Sequence, residues 1–126
     1  MESQPSGKPD SITTTDQELL RRLNERINVA EICGDSAYLA SVLAPKLAFQ
    51  RADAAKTVDD AATFIEKVPS KKGDRTIRII EPIQLFGARA IVQCIVTQNG
   101  RDYHNLRLFV RRDDGWKLLG WANEPL

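Results

Sequence analysis

Residues 89–98 and 101–112 are two stretches rich in β-branched and aromatic side chains, with Asn99-Gly100 between them. A two-residue hairpin turn needs positive φ at both positions, which Asn and Gly tolerate best, so the pair specifies a β-hairpin with long arms. The turn also fixes the register. Thr97 falls opposite Asp102, Cys94 opposite Asn105 and Val92 opposite Arg107. Side chains alternate between the faces of a strand. One face therefore carries Val92, Cys94, Val96, Tyr103, Asn105, Arg107 and Phe109, and the other Ile91, Gln93, Ile95, His104, Leu106, Leu108 and Val110. Neither is an ordinary solvated surface. The second is nearly all aliphatic, and the first sets Asn105 and Arg107 among apolar and aromatic neighbours, as the wall of a binding cavity does. Helices can cover one face and a second copy of the chain the other, so a homodimer through the sheet is expected. A single β-bulge would exchange which face meets which cover.

The rest of the chain supplies the helices. Residues 1–14, with Pro5, Gly7 and Pro9 and no apolar periodicity, read as a disordered leader before a single domain over 15–126. Thr15 and Glu18 form a capping-box pattern. Leu19, Leu20, Leu23, Ile27 and Ala30 follow at helical spacing until Gly34 ends the helix. Asp35 caps a second helix carrying Tyr38, Leu39, Val42 and Leu43, which Pro45 stops. Residues 47–50 make a short strand. A third helix is expected from Thr57, with Asp59 and Asp60 in its first turn and Val58, Ala61, Ala62, Ile65 and Val68 as its apolar stripe. Pro69 and Gly73 mark the loop beyond it. Ile77, Ile79 and Ile80 lead a strand into Pro82, which belongs at an edge or a bulge. Gly87 turns the chain into the long hairpin, and Asp113-Asp114-Gly115 turns it again into a last strand, Trp116 to Asn123. The expected order is α-α-β-α-β-β-β-β, an α+β fold with three helices on a curved antiparallel sheet.

Charge and cysteine content narrow the function classes. Eighteen Lys and Arg against 17 Asp and Glu leave a net charge of +1, whereas a protein living on phosphate contacts is clearly basic or carries a basic stripe. The basic positions nearest to a cluster, Lys71, Lys72 and Arg75, then Arg111 and Arg112, read as solvated loop and hairpin-end charges. Nucleic acid is not an expected partner. Cys33 and Cys94 have no metal-ligand spacing, and His104 is the one imidazole, so neither a metal nor another cofactor is expected. Both cysteines sit in apolar stretches and read as buried thiols rather than a disulfide. No apolar run approaches the ~20 residues that span a bilayer, and the start of the chain lacks a signal-peptide pattern. A cytoplasmic protein without a membrane partner is the default expectation.

Arg107 is the position with the most to explain. It lies mid-strand between Leu106 and Leu108, where an unpaired charge is costly. Facing a cavity, its planar fork would anchor a carboxylate or phosphate. The alternatives are a structural pair with a helix carboxylate, or a charge at the dimer seam. Tyr103, Asn105, Phe49, Trp121 and Asn123 are the further candidates for a pocket wall, and Trp121 shares the face of Arg107 if Asp113-Asp114-Gly115 is a three-residue loop. Trp116 and Phe109 read as core.

The run from Asn105 through Arg111-Arg112-Asp113-Asp114-Gly115-Trp116 to Trp121, with Gly34-Asp35 between the first helices and Leu43 shortly after, resembles the nuclear transport factor 2-like superfamily in its SnoaL-like, ketosteroid isomerase-like branch. The resemblance spans residues 15–126. It implies a cystatin-like cone of helices around a bent sheet, an internal pocket and frequent dimerisation. Its members include isomerases, cyclases, dehydratases and non-catalytic association domains, so it leaves open whether this chain is an enzyme. The isomerase base position falls near Arg51, a departure from that activity, with Asp53 close by as a substitute or simply a loop aspartate. His104 is a second candidate base, set against a structural role on the aliphatic face, and the position of Asp35 is explained by its cap. The resemblance also places an arginine of kinase association domains at the strand position of Arg107. Two functions follow: a pocket protein that binds or transforms an apolar ligand with an anionic or carbonyl group, and a non-catalytic dimeric interaction module.

Overall fold

Asn99 and Gly100 take φ values of 52° and 79°, and the hairpin closes in the register that such a turn dictates, with Thr97 opposite Asp102, Cys94 opposite Asn105 and Val92 opposite Arg107. The computed structural model describes residues 15–68 and 73–126. The expected leader and Pro69, Lys71 and Lys72 lie outside the described residues. In chain order the elements are α1 (Asp16–Cys33), α2 (Ser36–Val42), β1 (Leu43–Gln50), β2 (Val58–Asp59), α3 (Ala61–Glu66), β3 (Arg75–Phe86), β4 (Arg89–Gln98), β5 (Arg101–Arg112) and β6 (Gly115–Pro125). The strands form one sheet ordered β2-β1-β6-β5-β4-β3. It is a mixed sheet and not the expected antiparallel one, because β1 runs parallel to β6.

Local signals set the helix ends. Thr15 accepts from the Glu18 backbone N–H at 3.1 Å, while the Glu18 side chain turns to Arg22 at 3.5 Å, so the first half of the capping box forms. Gly34, at φ 72°, closes α1 by donating to Ala30 O. Asp35 accepts from Tyr38 N at 3.1 Å and starts α2. That helix stops at Val42, and the chain passes straight into β1, longer than the expected 47–50. Pro45 sits inside β1 where the pairing with β6 slips between Leu43 and Ala48, a place where a missing N–H costs no ladder bond. Pro82 is likewise in edge strand β3, within the register shift between Ile80 and Gln84.

The start of the third helix departs from expectation. Thr57 does not begin it; Val58 and Asp59 pair with β1 instead, and Asp60 caps α3 by accepting from Thr63 N at 2.8 Å. Val58 is 63% exposed, and the buried residue of α3 is Phe64, which lies outside the expected stripe; Ala61, Ile65 and Val68 of the stripe are partly buried against the core. Cys94 is buried as expected, but Cys33, at the last residue of α1, is exposed; both are free thiols.

The face holding Val92, Cys94, Val96, Asn105, Arg107 and Phe109 meets the helices, and these side chains are fully buried or nearly so. Each fully buried Leu or Phe contributes about 1.5–3 kcal/mol. On the other face Ile91, Gln93, Ile95, His104 and Leu108 are half-buried, Leu106 is 43% exposed, and Val110 is covered. No helix among the described residues is long and apolar enough to cross a membrane.

Candidate functional site

A cavity of about 200 Å³ opens between the ends of β1, β5 and β6, the C-terminal turn of α3 and the last turns of α1. Five of the residues that the sequence singles out line it together: Phe49, Tyr103, Asn105, Trp121 and Asn123. Trp121 reaches this face by a route other than the expected loop. Asp113 and Asp114 alone make the turn, pairing Arg112 with Gly115, and a bulge at Leu119 then shifts the register so that Arg107 faces Trp121 and Asn105 faces Asn123. An extra residue in the strand does what an extra residue in the loop would have done.

The apolar wall is aromatic. Phe49 meets Phe64 edge-on at 4.9 Å and Trp121 at 4.7 Å, and Phe64 lies 5.5 Å from Trp121. Polar groups close the inner end. Asn105 Oδ1 accepts from Trp121 Nε1 at 2.8 Å and from Nη2 and Nε of Arg107 at 2.9 and 3.3 Å. With its oxygen occupied in this way, Asn105 presents its Nδ2 outward and donates to Asn123 Oδ1 at 2.6 Å, and Asn123 donates to Gln50 O at 3.0 Å.

Arg107 is not itself in the cavity wall. It lies behind Asn105 and Trp121, with its guanidinium 4.4 Å from the Trp121 ring, and is 0% exposed. Its remaining hydrogen bond goes from Nη1 to Asn24 Oδ1 of α1 at 2.9 Å. Among the described residues no carboxylate pairs with it: both acceptors are neutral amides. Burial pushes its pKa down, but a guanidinium keeps its proton in proteins, so a whole positive charge sits in the interior. Cys94 is on the same face, its thiol pushed up by burial.

Two ion-paired groups complete the surround. Arg75 donates to Glu31 at 2.7 Å, Asn28 at 3.0 Å and Gln98 at 3.0 Å, and the Arg75 and Glu31 side chains are 7% and 5% exposed. The expected solvated loop charge is thus a buried clamp between α1 and the β3–β4 edge. At the mouth, Asp59 accepts from Arg51 at 2.5 Å and from Lys67 at 3.1 and 3.3 Å. Burial opposes charge on Asp59, and the bonds from Arg51 and Lys67 overcome it and hold the carboxyl below the usual aspartate range.

The two candidate bases lie elsewhere. Asp53 is in an exposed turn, accepting from Thr57 N at 2.9 Å and Thr57 Oγ1 at 2.7 Å. Those backbone and side-chain bonds hold its carboxyl below the ordinary range. His104 is on the opposite face, hydrogen-bonded to Gln93 at 2.9 Å, beside a separate hollow with Lys56, Leu106 and Glu124. Sequence reasoning missed Glu31, Asp59, Lys67 and Arg75. The signal for the α1 partners was present: Asn24, Asn28 and Glu31 recur at helical spacing beside the apolar stripe, and all three are buried.

No protein-family model and no curated protein matches the chain. Solved structures do. An NTF2-like protein from Cytophaga hutchinsonii is similar at a TM-score of 0.80 and 14% identity, over 90% of this chain and 100% of its own. The S. rosetta CaMKII hub is similar at 0.72 and 18%, over 90% and 99%. A protein from Streptomyces avermitilis, proposed as a dehydratase of the NTF2-like family, is similar at 0.73 and 17%, over 88% and 96%. Likeness at these identities speaks for fold and not for activity. What the superposition and the element order establish together is that this chain has the nuclear transport factor 2-like fold.

Proposed function

We propose that this chain is a small-molecule pocket protein of the SnoaL-like branch, whose ligand has an apolar body and an anionic or carbonyl group. The buried charge of Arg107 carries the reading. Its hydrogen bonds go to neutral amides, and Glu31, the carboxylate that acts on it through space, is bonded to Arg75. A buried ion so weakly countered costs several kcal/mol, and an anion drawn into the cavity offsets that cost. The surroundings favour the same sign: among the described residues Arg51, Lys67 and Arg75 line the cavity and Arg107 lies behind its wall, four cationic heads against the carboxylates of Asp59 and Glu31. The volume is below the ~300 Å³ at which pockets for drug-sized molecules begin, which suits a small metabolite. Calorimetric titration with benzoate, benzamide and aniline tests the sign. Benzoate should bind tightest and aniline least, and Arg107→Met, checked for folding by circular dichroism, should abolish the preference. Equal affinity for the amine, or undiminished affinity of the folded variant for the acid, would overturn the reading.

If the protein is catalytic, the SnoaL-like resemblance points to isomerase, cyclase or dehydratase chemistry. Arg51, near which the isomerase base position falls, is ion-paired with Asp59, so binding is the activity we put forward. The half-exposed aliphatic side chains of Ile91, Ile95, Leu106 and Leu108 favour a second reading, a dimeric interaction module whose sheet pairs with a second copy. Sedimentation at micromolar concentration should give a dimer; a monomer would discard it.

A further inference from the structure

We infer that the ligand is an organic dianion: a flat apolar body with an acidic group at each end, one toward Asn105 and Arg107, the other toward Arg51 and Lys67. The inference rests on the pocket reading above and adds the number and the placement of the charges.

The aromatic wall of the cavity has a cation at either end. The Arg51 guanidinium lies 5.1 Å from the Phe49 ring, Phe49 lies 4.7 Å from Trp121, and the Arg107 guanidinium lies 4.4 Å from Trp121, behind the wall that Asn105 and Trp121 make. Among the described residues each end has one positive charge more than its carboxylates neutralise. Arg107 bonds to the neutral amides of Asn24 and Asn105. Arg51 and Lys67 share the single carboxylate of Asp59. Glu31 is bonded to Arg75 and acts on Arg107 through space, so the two guanidiniums have this one carboxylate between them. A monoanion would therefore neutralise one end and leave the other as it was. Between the ends Phe49, Phe64 and Trp121 offer ring faces and edges and no charge, which suits a planar body rather than a hydroxylated one. At the inner end the ligand meets Asn105 Nδ2, a donor whose own oxygen is held by Arg107 and Trp121. At the mouth it meets the ammonium of Lys67, 45% exposed, and the N–H groups of Arg51 not used on Asp59.

Terephthalate and its monomethyl ester share one body and differ by one charge, and calorimetric titration of the full chain with both is the test. Terephthalate should bind at least tenfold more tightly, because its second carboxylate accepts a charge-assisted hydrogen bond that the ester cannot. The ratio should shrink in high salt because the mouth is solvated. Lys67→Met and Arg51→Gln should each bring the ratio toward one. Equal affinities would overturn the dianion while leaving the anion pocket standing. Binding of neither compound to folded protein would sink both. A tenfold ratio indifferent to both substitutions would place the second acidic group elsewhere and overturn the assignment.

Discussion

Asn105→Asp tests the buried charge directly. In the protein, Asn105 Oδ1 already collects two N–H groups of Arg107 and the indole N–H of Trp121, so an aspartate in the same pose sets a carboxylate oxygen where three donors point. Removing one partner of a buried ion pair costs about 3–5 kcal/mol, because the other charge is left alone. Arg107 begins close to that state, with neutral amides as its acceptors and Glu31 acting only through space, and supplying the partner recovers much of that amount. The other half of the amide opposes this. Asn105 Nδ2 donates to Asn123 at 2.6 Å, and a carboxylate oxygen facing that acceptor costs about 1–3 kcal/mol. Asn123 cannot turn round to help without losing its bond to Gln50 O. The balance is a gain of about 2 kcal/mol at neutral pH, which raises Tm by roughly 6–10 °C for a domain of this size. Arg107 depresses the new carboxyl below its unfolded value of about 3.9, so the gain is complete above that value and disappears as pH falls through the folded pKa. Thermal and urea unfolding at pH 7 and in acid read the first effect. Benzoate titration reads the second, a loss of anion affinity, because Arg107 then has its counter-charge within the fold. A stabilised protein that has lost its ligand is the expected pair of results. A variant less stable than the parent at pH 7 would refute the argument, since Arg107 would then be compensated already.

Two further outcomes follow from the site and its scaffold. The Asp59 carboxyl is held below its ordinary range by Arg51 and Lys67 against the cost of burial. Its stabilisation is therefore present above about pH 4 and lost as pH falls through the folded value; Asp59→Asn should lower stability at pH 7 and flatten the acid limb of the unfolding curve, and an unchanged limb would refute this. Thr15→Ala removes the acceptor for Glu18 N and should cost about 1 kcal/mol, read as a Tm lower by roughly 3–5 °C, while a full capping box would lose more and no cap at all would lose nothing.

Much of this is legible in the residues, and the physical reason is locality. Asn99-Gly100, Gly34, Asp35 and Pro82 each act on their immediate neighbours, and each does in the structure what its chemistry dictates. Thr57 departs for the same reason read the other way. Two good N-cap residues, Thr57 and Asp60, compete within one turn, and the outcome is decided at a distance: β1 offers Val58 and Asp59 a strand to pair with, and Arg51 and Lys67 offer the Asp59 carboxylate a better partner than a helix dipole.

The cavity shows most sharply where such reading ends. Its wall depends on Trp121 and Asn123 facing Arg107 and Asn105, which requires an odd number of extra residues somewhere between Phe109 and Trp121. Nothing in the residues around the Gly115 turn says where the extra one goes. The structure puts it at Leu119, between the partners of Phe109 and Leu108 and next to Gly120. Either placement yields the same face, because the pleat counts residues modulo two and is indifferent to how the count is reached. That is why the five residues line one cavity although the turn expected to bring Trp121 there is not the one that forms. Arg75 is the converse case. Its partners Glu31 and Asn28 come from a helix more than forty residues earlier, so nothing near it in the chain distinguishes a clamp from a solvated loop charge. The polar stripe of α1 is visible in its spacing, but a stripe states that something polar will be met and not what it will be. A charge-bearing cavity in this fold is assembled from such distant pairs, and its net sign is therefore a property that composition, at +1 over the whole chain, conceals.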